Sequence, residues 1–104
     1  MKLPPLSHLQ FAVLSCLGPH KISGRELRAL LAKEKIRKSA PSFYQLMSRL
    51  EDAKFVHGEY VNKVVEGQTI KERFYRLTGE GDRARREQIE FYQIKAGGLV
   101  SVPA

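Results

Sequence analysis

A chain of 104 residues is the length of one domain, and its 42% hydrophobic content can supply one compact core, which argues against both a disordered protein and a two-domain enzyme. Eighteen lysines and arginines against eleven acidic residues give a formal net charge of +7, a surface that suits a polyanionic partner such as nucleic acid or an anionic membrane. Cys16 is the only cysteine, so an intramolecular disulfide is excluded and a reducing, cytoplasmic setting is expected.

Lys2 followed by the apolar run over residues 9–17 superficially resembles a bacterial export signal with a lipid-accepting cysteine. Pro4, Pro5, Ser7, His8 and Gln10 hold that run at the short limit for export, and no stretch is long enough to span a bilayer. An amphipathic helix fits better: Leu6, Leu9, Val13 and Cys16 recur at three- and four-residue steps with Leu17 on the same side. Ser7 is its predicted N-cap, and Gly18 with Pro19 ends it. His8, Cys16 and His20 could bring three soft ligands to one side, but the break before His20 and the apolar setting of Cys16 argue against a metal site.

Ser23 to Glu26 predicts a second helix opened by a capping box, with Leu27, Leu30 and Leu31 as its buried stripe. A third helix starts around residues 39–42, because Pro41 is tolerated only in a first turn. Phe43, Leu46, Met47 and Leu50 form its inner face, with Ala53 close beside, which leaves Ser42, Gln45, Ser48 and Arg49 facing outward. Val56, Tyr60, Val61, Val64 and Val65 are strand formers, residues 66–68 supply a turn, and residues 69–77 extend again, so a β-hairpin follows. Lys21 and Ile22 are candidates for a short strand beside it. Thr78 caps a last helix to about Ala96, where Gly97 and Gly98 break it; residues 82–87 face solvent, and Ile89, Phe91, Tyr92 and Ile94 bring the apolar surface.

The fold class expected is therefore α+β, mainly helical: a winged helix-turn-helix of three helices, a β-hairpin wing and a C-terminal helix. Residues 7–78 are the core of a single domain, residues 79–96 the C-terminal helix with a role in dimerisation, and residues 97–104 a flexible tail.

Three stretches resemble the PadR regulators: Gly24, Arg25, Glu26 and Leu27; then Ser39 to Tyr44 with Arg49, Leu50, Glu51, Phe55 and Val56; then Arg73 to Thr78 with Gly81. They follow the family's order over more than half the chain. Pro41 and Lys54 stand where the family has glycines, and Arg85 where the last helix often has leucine. The resemblance implies a homodimeric regulator, a repressor, that binds double-stranded DNA. Some PadR relatives bind flat aromatic drugs through tryptophan, which this chain lacks, so that activity is not expected here.

Charge placement agrees with a duplex-binding surface. Between His20 and Arg49 lie eight cationic side chains (Lys21, Arg25, Arg28, Lys33, Lys35, Arg37, Lys38 and Arg49) and only two acidic ones, Glu26 and Glu34. The hairpin adds Lys63, Lys71, Arg73 and Arg76. With the third helix in a major groove, Gln45 and Arg49 are placed to read bases, Lys38, Ser39, Ser42 and Tyr44 to hold phosphates, and Lys63, Lys71 and Arg73 to contact DNA from the wing. Glu51 and Asp52 are expected at the far end, away from the groove. Phe11, Leu14, Ile89, Phe91 and Tyr92 are the candidate dimer interface. Catalytic residues, cofactors and metals are not expected: no nucleophile has an evident base, no phosphate loop is present, and His57 reads as structural. The competing reading is a winged-helix protein-interaction module within a larger assembly; a membrane role is disfavoured because no helix pairs a strong apolar face with a basic one.

Overall fold

The computed structural model of the chain describes residues 6–99, with side chains through residue 93. Its elements run α1 (His8–Cys16), β1 (Ile22–Ser23), α2 (Gly24–Lys33), α3 (Ala40–Asp52), β2 (Val56–Val65), β3 (Gln68–Leu77) and α4 (Gly79–Leu99). This is the winged helix-turn-helix order, mainly helical with one small antiparallel sheet.

Each helix begins where a side chain can take up an amide left without a partner. Ser7 accepts from the Gln10 amide at 3.1 Å while the Gln10 side chain accepts from the Ser7 amide at 3.0 Å, a complete capping box. At α2 only the serine half of the expected box forms: Ser23 accepts from the Glu26 amide at 3.1 Å, and Glu26 is exposed. Ser39 caps α3 through the Ser42 amide, with Pro41 in the first turn. Thr78 accepts from the Gly81 amide at 3.0 Å and donates to the carbonyls of Lys54 and Phe55, which ties the start of α4 to the end of α3. Gly81 is required there, since a Cβ would collide with the Phe55 carbonyl.

The core gathers Val13, Leu14 and Leu17 from the first helix and its end, Leu27 and Leu31 from α2, and Phe43, Leu46, Met47 and Leu50 from α3, closed by Val56, Tyr75 and Ala84. Two sequence expectations change here. Leu30 is 37% exposed, because it lies one residue off the α2 stripe that faces the core. Residues 82–87 are not wholly solvent-facing: Ala84 is buried, and the inner stripe of α4 continues through Gln88, which is fully buried. A buried amide needs partners, and Gln88 has them, accepting from the Leu6 amide at 3.2 Å and donating to the Tyr92 hydroxyl at 3.4 Å. Gly97 and Gly98 do not end α4, which continues to Leu99; the rest of the expected tail, residues 100–104, lies outside the described residues, as do Lys2, Pro4 and Pro5.

The sheet has the order β1-β3-β2, with Ile22 and Ser23 paired to Tyr75 and Phe74, so the short strand predicted beside the wing forms one residue later than read. β2 and β3 pair without interruption from Val56↔Leu77 to Val65↔Gln68. The loop is Glu66 and Gly67, both at positive φ (51° and 79°), as a two-residue type I′ turn demands. No helix among the described residues is long and apolar enough to cross a membrane.

Candidate nucleic-acid interface

The inner residues of α3 are consumed by the core, which sorts the rest by angle. At 100° per residue, Gln45, Ser48 and Asp52 project directly away from the core, Tyr44 and Glu51 turn to one flank, and Ser42 and Arg49 to the other. Ser42, Tyr44, Gln45, Ser48, Arg49 and Asp52 are all exposed, so the described residues leave this face of the helix uncovered.

The first flank faces the wing. Tyr75 is buried and meets Phe43 edge-on at 6.4 Å, which fixes the side of the sheet that looks toward α3. Because cross-strand partners share a face and alternate along the strand, that side carries Tyr75 and Gly58, Arg73 and Tyr60, Lys71 and Asn62, then Thr69 and Val64. Tyr44, Ser48 and Glu51 from the helix and Tyr60, Lys71, Arg73 and Tyr75 from the wing line one cleft. Glu51, expected to stand away from the groove, is inside this cleft as the ion-pair partner of Arg73. The sequence reading missed this because its register on the helix is visible but the wing's approach is not.

The expected wing residues therefore separate. Lys71 is exposed on the helix-facing side; Arg73 is on that side but held by Glu51, with its guanidinium 4.6 Å from the Tyr60 ring centre. Lys63 is on the reverse side, 3.2 Å from Glu72. Tyr60, Asn62 and Thr69 share the face of Lys71 and were not singled out from sequence; only the strand register reveals them.

Ionisation follows this geometry. Partial burial opposes the charge on Arg73, but the hydrogen bond and negative charge of Glu51 outweigh it and raise its pKa. Burial, reinforced by the nearby Glu51 charge and opposed by Arg73, pushes the Tyr75 phenol up to about 12.

The turn between α2 and α3 carries a second group of cations. There Arg25, Arg28, Arg37 and Lys38 surround a hollow floored by Ala29, Leu31, Ala32, Ile36 and Phe43, with no acidic residue in its lining. Arg28 is anchored by a 3.1 Å bond to the Lys38 carbonyl, and its guanidinium lies 6.0 Å from the Phe43 ring centre. Lys38 and Ser39 lie at the rim, where the N-terminus of α3 adds its positive end. Arg25, Arg28 and Arg37 carry a signal in sequence only as charge; the hollow that groups them is a product of the turn.

Of the candidate interface residues, Leu14 is corrected: it is fully buried within the protomer, so it has no surface to offer. Phe11, Ile89 and Phe91 are half-buried and Tyr92 is exposed; Phe11 and Phe91 each meet Tyr92 edge-on, at 5.9 and 5.8 Å. His8 and His20 are exposed and Cys16 half-buried, and the described residues contain no cluster of three metal-ligand side chains.

Three helices, a hairpin and a fourth helix, with the outer face of α3 exposed beside the wing, define a winged helix-turn-helix protein. Among solved structures, the chain resembles a PadR-family transcriptional regulator of Eggerthella lenta DSM 2243 at 31% identity, covering 88% of this chain and 77% of that one with a TM-score of 0.71. It also resembles the Bacillus subtilis PadR crystallised with operator DNA (19% identity, 80% of this chain, 47% of that one, TM-score 0.67) and a PadR-family regulator of Clostridium difficile R20291 (21%, 86% and 92%, TM-score 0.67). Scans against protein-family models and curated proteins return no match. The chain belongs to the PadR family of transcriptional regulators.

Proposed function

We propose that this chain binds double-stranded DNA sequence-specifically as a cytoplasmic transcriptional regulator, a repressor acting as a homodimer, and that it is a binding protein rather than a catalyst. The observation that carries this reading is the exposed outer face of α3, left uncovered by the described residues, in a domain whose wing presents Lys71 and whose α2–α3 turn gathers Arg25, Arg28, Arg37 and Lys38. The crystallised complex of the Bacillus subtilis relative with operator DNA supports it. Gln45 and Arg49 read base edges in the major groove; Lys38, Ser39, Ser42 and Tyr44 hold phosphates together with Arg25 and Arg37; Lys71, helped by Asn62 and Thr69, touches the backbone from the wing. Lys63 reaches a phosphate from the reverse side of the hairpin, since an exposed pair such as Lys63 and Glu72 is weak enough to exchange. The second protomer packs against Phe11, Ile89, Phe91 and Tyr92, and two-fold symmetry asks for a symmetric site.

The test is a fluorescence titration of the protein with duplex DNA across a range of salt concentrations. Five cations on phosphates per protomer give a slope of log affinity against log salt of about −4.5 per protomer, about −9 for the dimer. Binding that ignores salt, or Gln45→Ala and Arg49→Ala variants that keep the parent's sequence preference, would remove the assignment. A module that docks an acidic protein need not show this phosphate-derived salt slope.

A further inference from the structure

Arg73 is the one cation of the wing that the fold encloses. Glu51 of α3 bonds its guanidinium, Tyr60 covers it at 4.6 Å, the Tyr75 ring lies 5.9 Å away, and the Arg73 and Glu51 side chains are both about three-quarters buried. The space for the carboxylate exists because position 58, paired with Tyr75, is glycine: a Cβ there would overlap the Glu51 carboxylate and crowd the Arg73 guanidinium. The negative charge of Glu51 beside Arg73 opposes a phosphate there. An arginine held by a carboxylate and stacked on a ring is spent on geometry, and the geometry it spans is the gap between the recognition helix and the wing.

We propose that Glu51 and Arg73 are a positioning pair that sets the angle between wing and α3, so that Lys71 and the Gln45–Arg49 edge meet one duplex together, and that Arg73 stays on Glu51 in the complex instead of binding phosphate. The inference rests on the DNA-binding reading above. It reverses the role that charge alone assigns to Arg73.

Gly58→Ala tests it without altering any charge, since the added methyl displaces the carboxylate. Gly58→Ala and Arg73→Gln should each weaken duplex binding about tenfold, within the range for coupled neighbours, and the double variant should be no weaker than either. The salt slope should flatten by about 0.9 per protomer in all three, because the misplaced wing takes Lys71 off its phosphate. If Arg73 instead holds a phosphate, Gly58→Ala, by freeing the guanidinium, tightens binding without flattening the slope; that result overturns the proposal. A lowered melting temperature with unchanged affinity of the folded protein also overturns it, since that is a purely structural pair. A parent protein that does not bind duplex DNA removes the DNA reading itself, whereas a parent that binds while Gly58→Ala tightens removes this inference alone.

Discussion

Lys54 adopts a φ of +68°, a conformation that costs a residue with a Cβ about 1 to 2 kcal/mol, at a position where the family has glycine. It is held there because its carbonyl accepts from the Thr78 hydroxyl at 2.7 Å as the chain turns from α3 into the wing. Lys54→Gly should therefore raise stability by about 1 kcal/mol, read as a higher denaturant midpoint at unchanged slope. Tyr75 supplies a second residue-scale expectation. Its phenol is raised to about 12 in the folded protein against 10.0 for the free group, so the folded state keeps a proton that the unfolded chain loses. The resulting stabilisation, about 3 kcal/mol, is complete below pH 10 and disappears as pH rises to about 12. Denaturant melts at pH 9 and 11.5 should show this loss in the parent and a smaller one in Tyr75→Phe.

For α3, one serine does two jobs. The Ser39 hydroxyl already accepts from the Ser42 amide at 3.3 Å, so its first role is to start the helix, and any contact with a phosphate is added to that. Ser39→Ala should cost about 1 kcal/mol of stability and weaken DNA binding by loosening the first turn, with Lys38 still in place to keep most of the salt slope. Melting and titration of the same sample separate the two effects. In the wing, alternation makes Lys71 and Lys63 unequal: Lys71 shares the helix-facing side with Asn62 and Thr69, while Lys63 is on the other side with Glu72 at 3.2 Å. Lys71→Ala should flatten the salt slope by about 0.9, and Lys63→Ala by clearly less. Equal effects would mean that the hairpin lies edge-on to the duplex.

Across the whole molecule, the segment before α1 is coupled to α4 through Gln88, whose buried side-chain oxygen accepts from the Leu6 amide, 82 positions away. The same α1–α4 surface presents Phe11, Phe91 and Tyr92, the aromatic patch assigned to a second protomer. Sedimentation should show a dimer at micromolar concentration, and Tyr92→Glu, placing charge on an exposed residue of that patch, should yield a monomer that is still folded. The sequence alone was sufficient for the element order, the caps at Ser7, Ser23 and Thr78, the core face of α3 and the outward set from Ser42 to Arg49. Those features follow from periodicities of 3.6 and 2 and from which side chains can satisfy a free amide, and both are local properties. Tertiary structure decided that Glu51 enters the cleft and captures Arg73, that Lys63 and Lys71 look opposite ways relative to α3, that Leu14 is interior and that Gln88 can be buried. Each of those outcomes depends on where a second element arrives, and hydrophobic burial sets that arrival for the whole chain at once, so no single stretch encodes it.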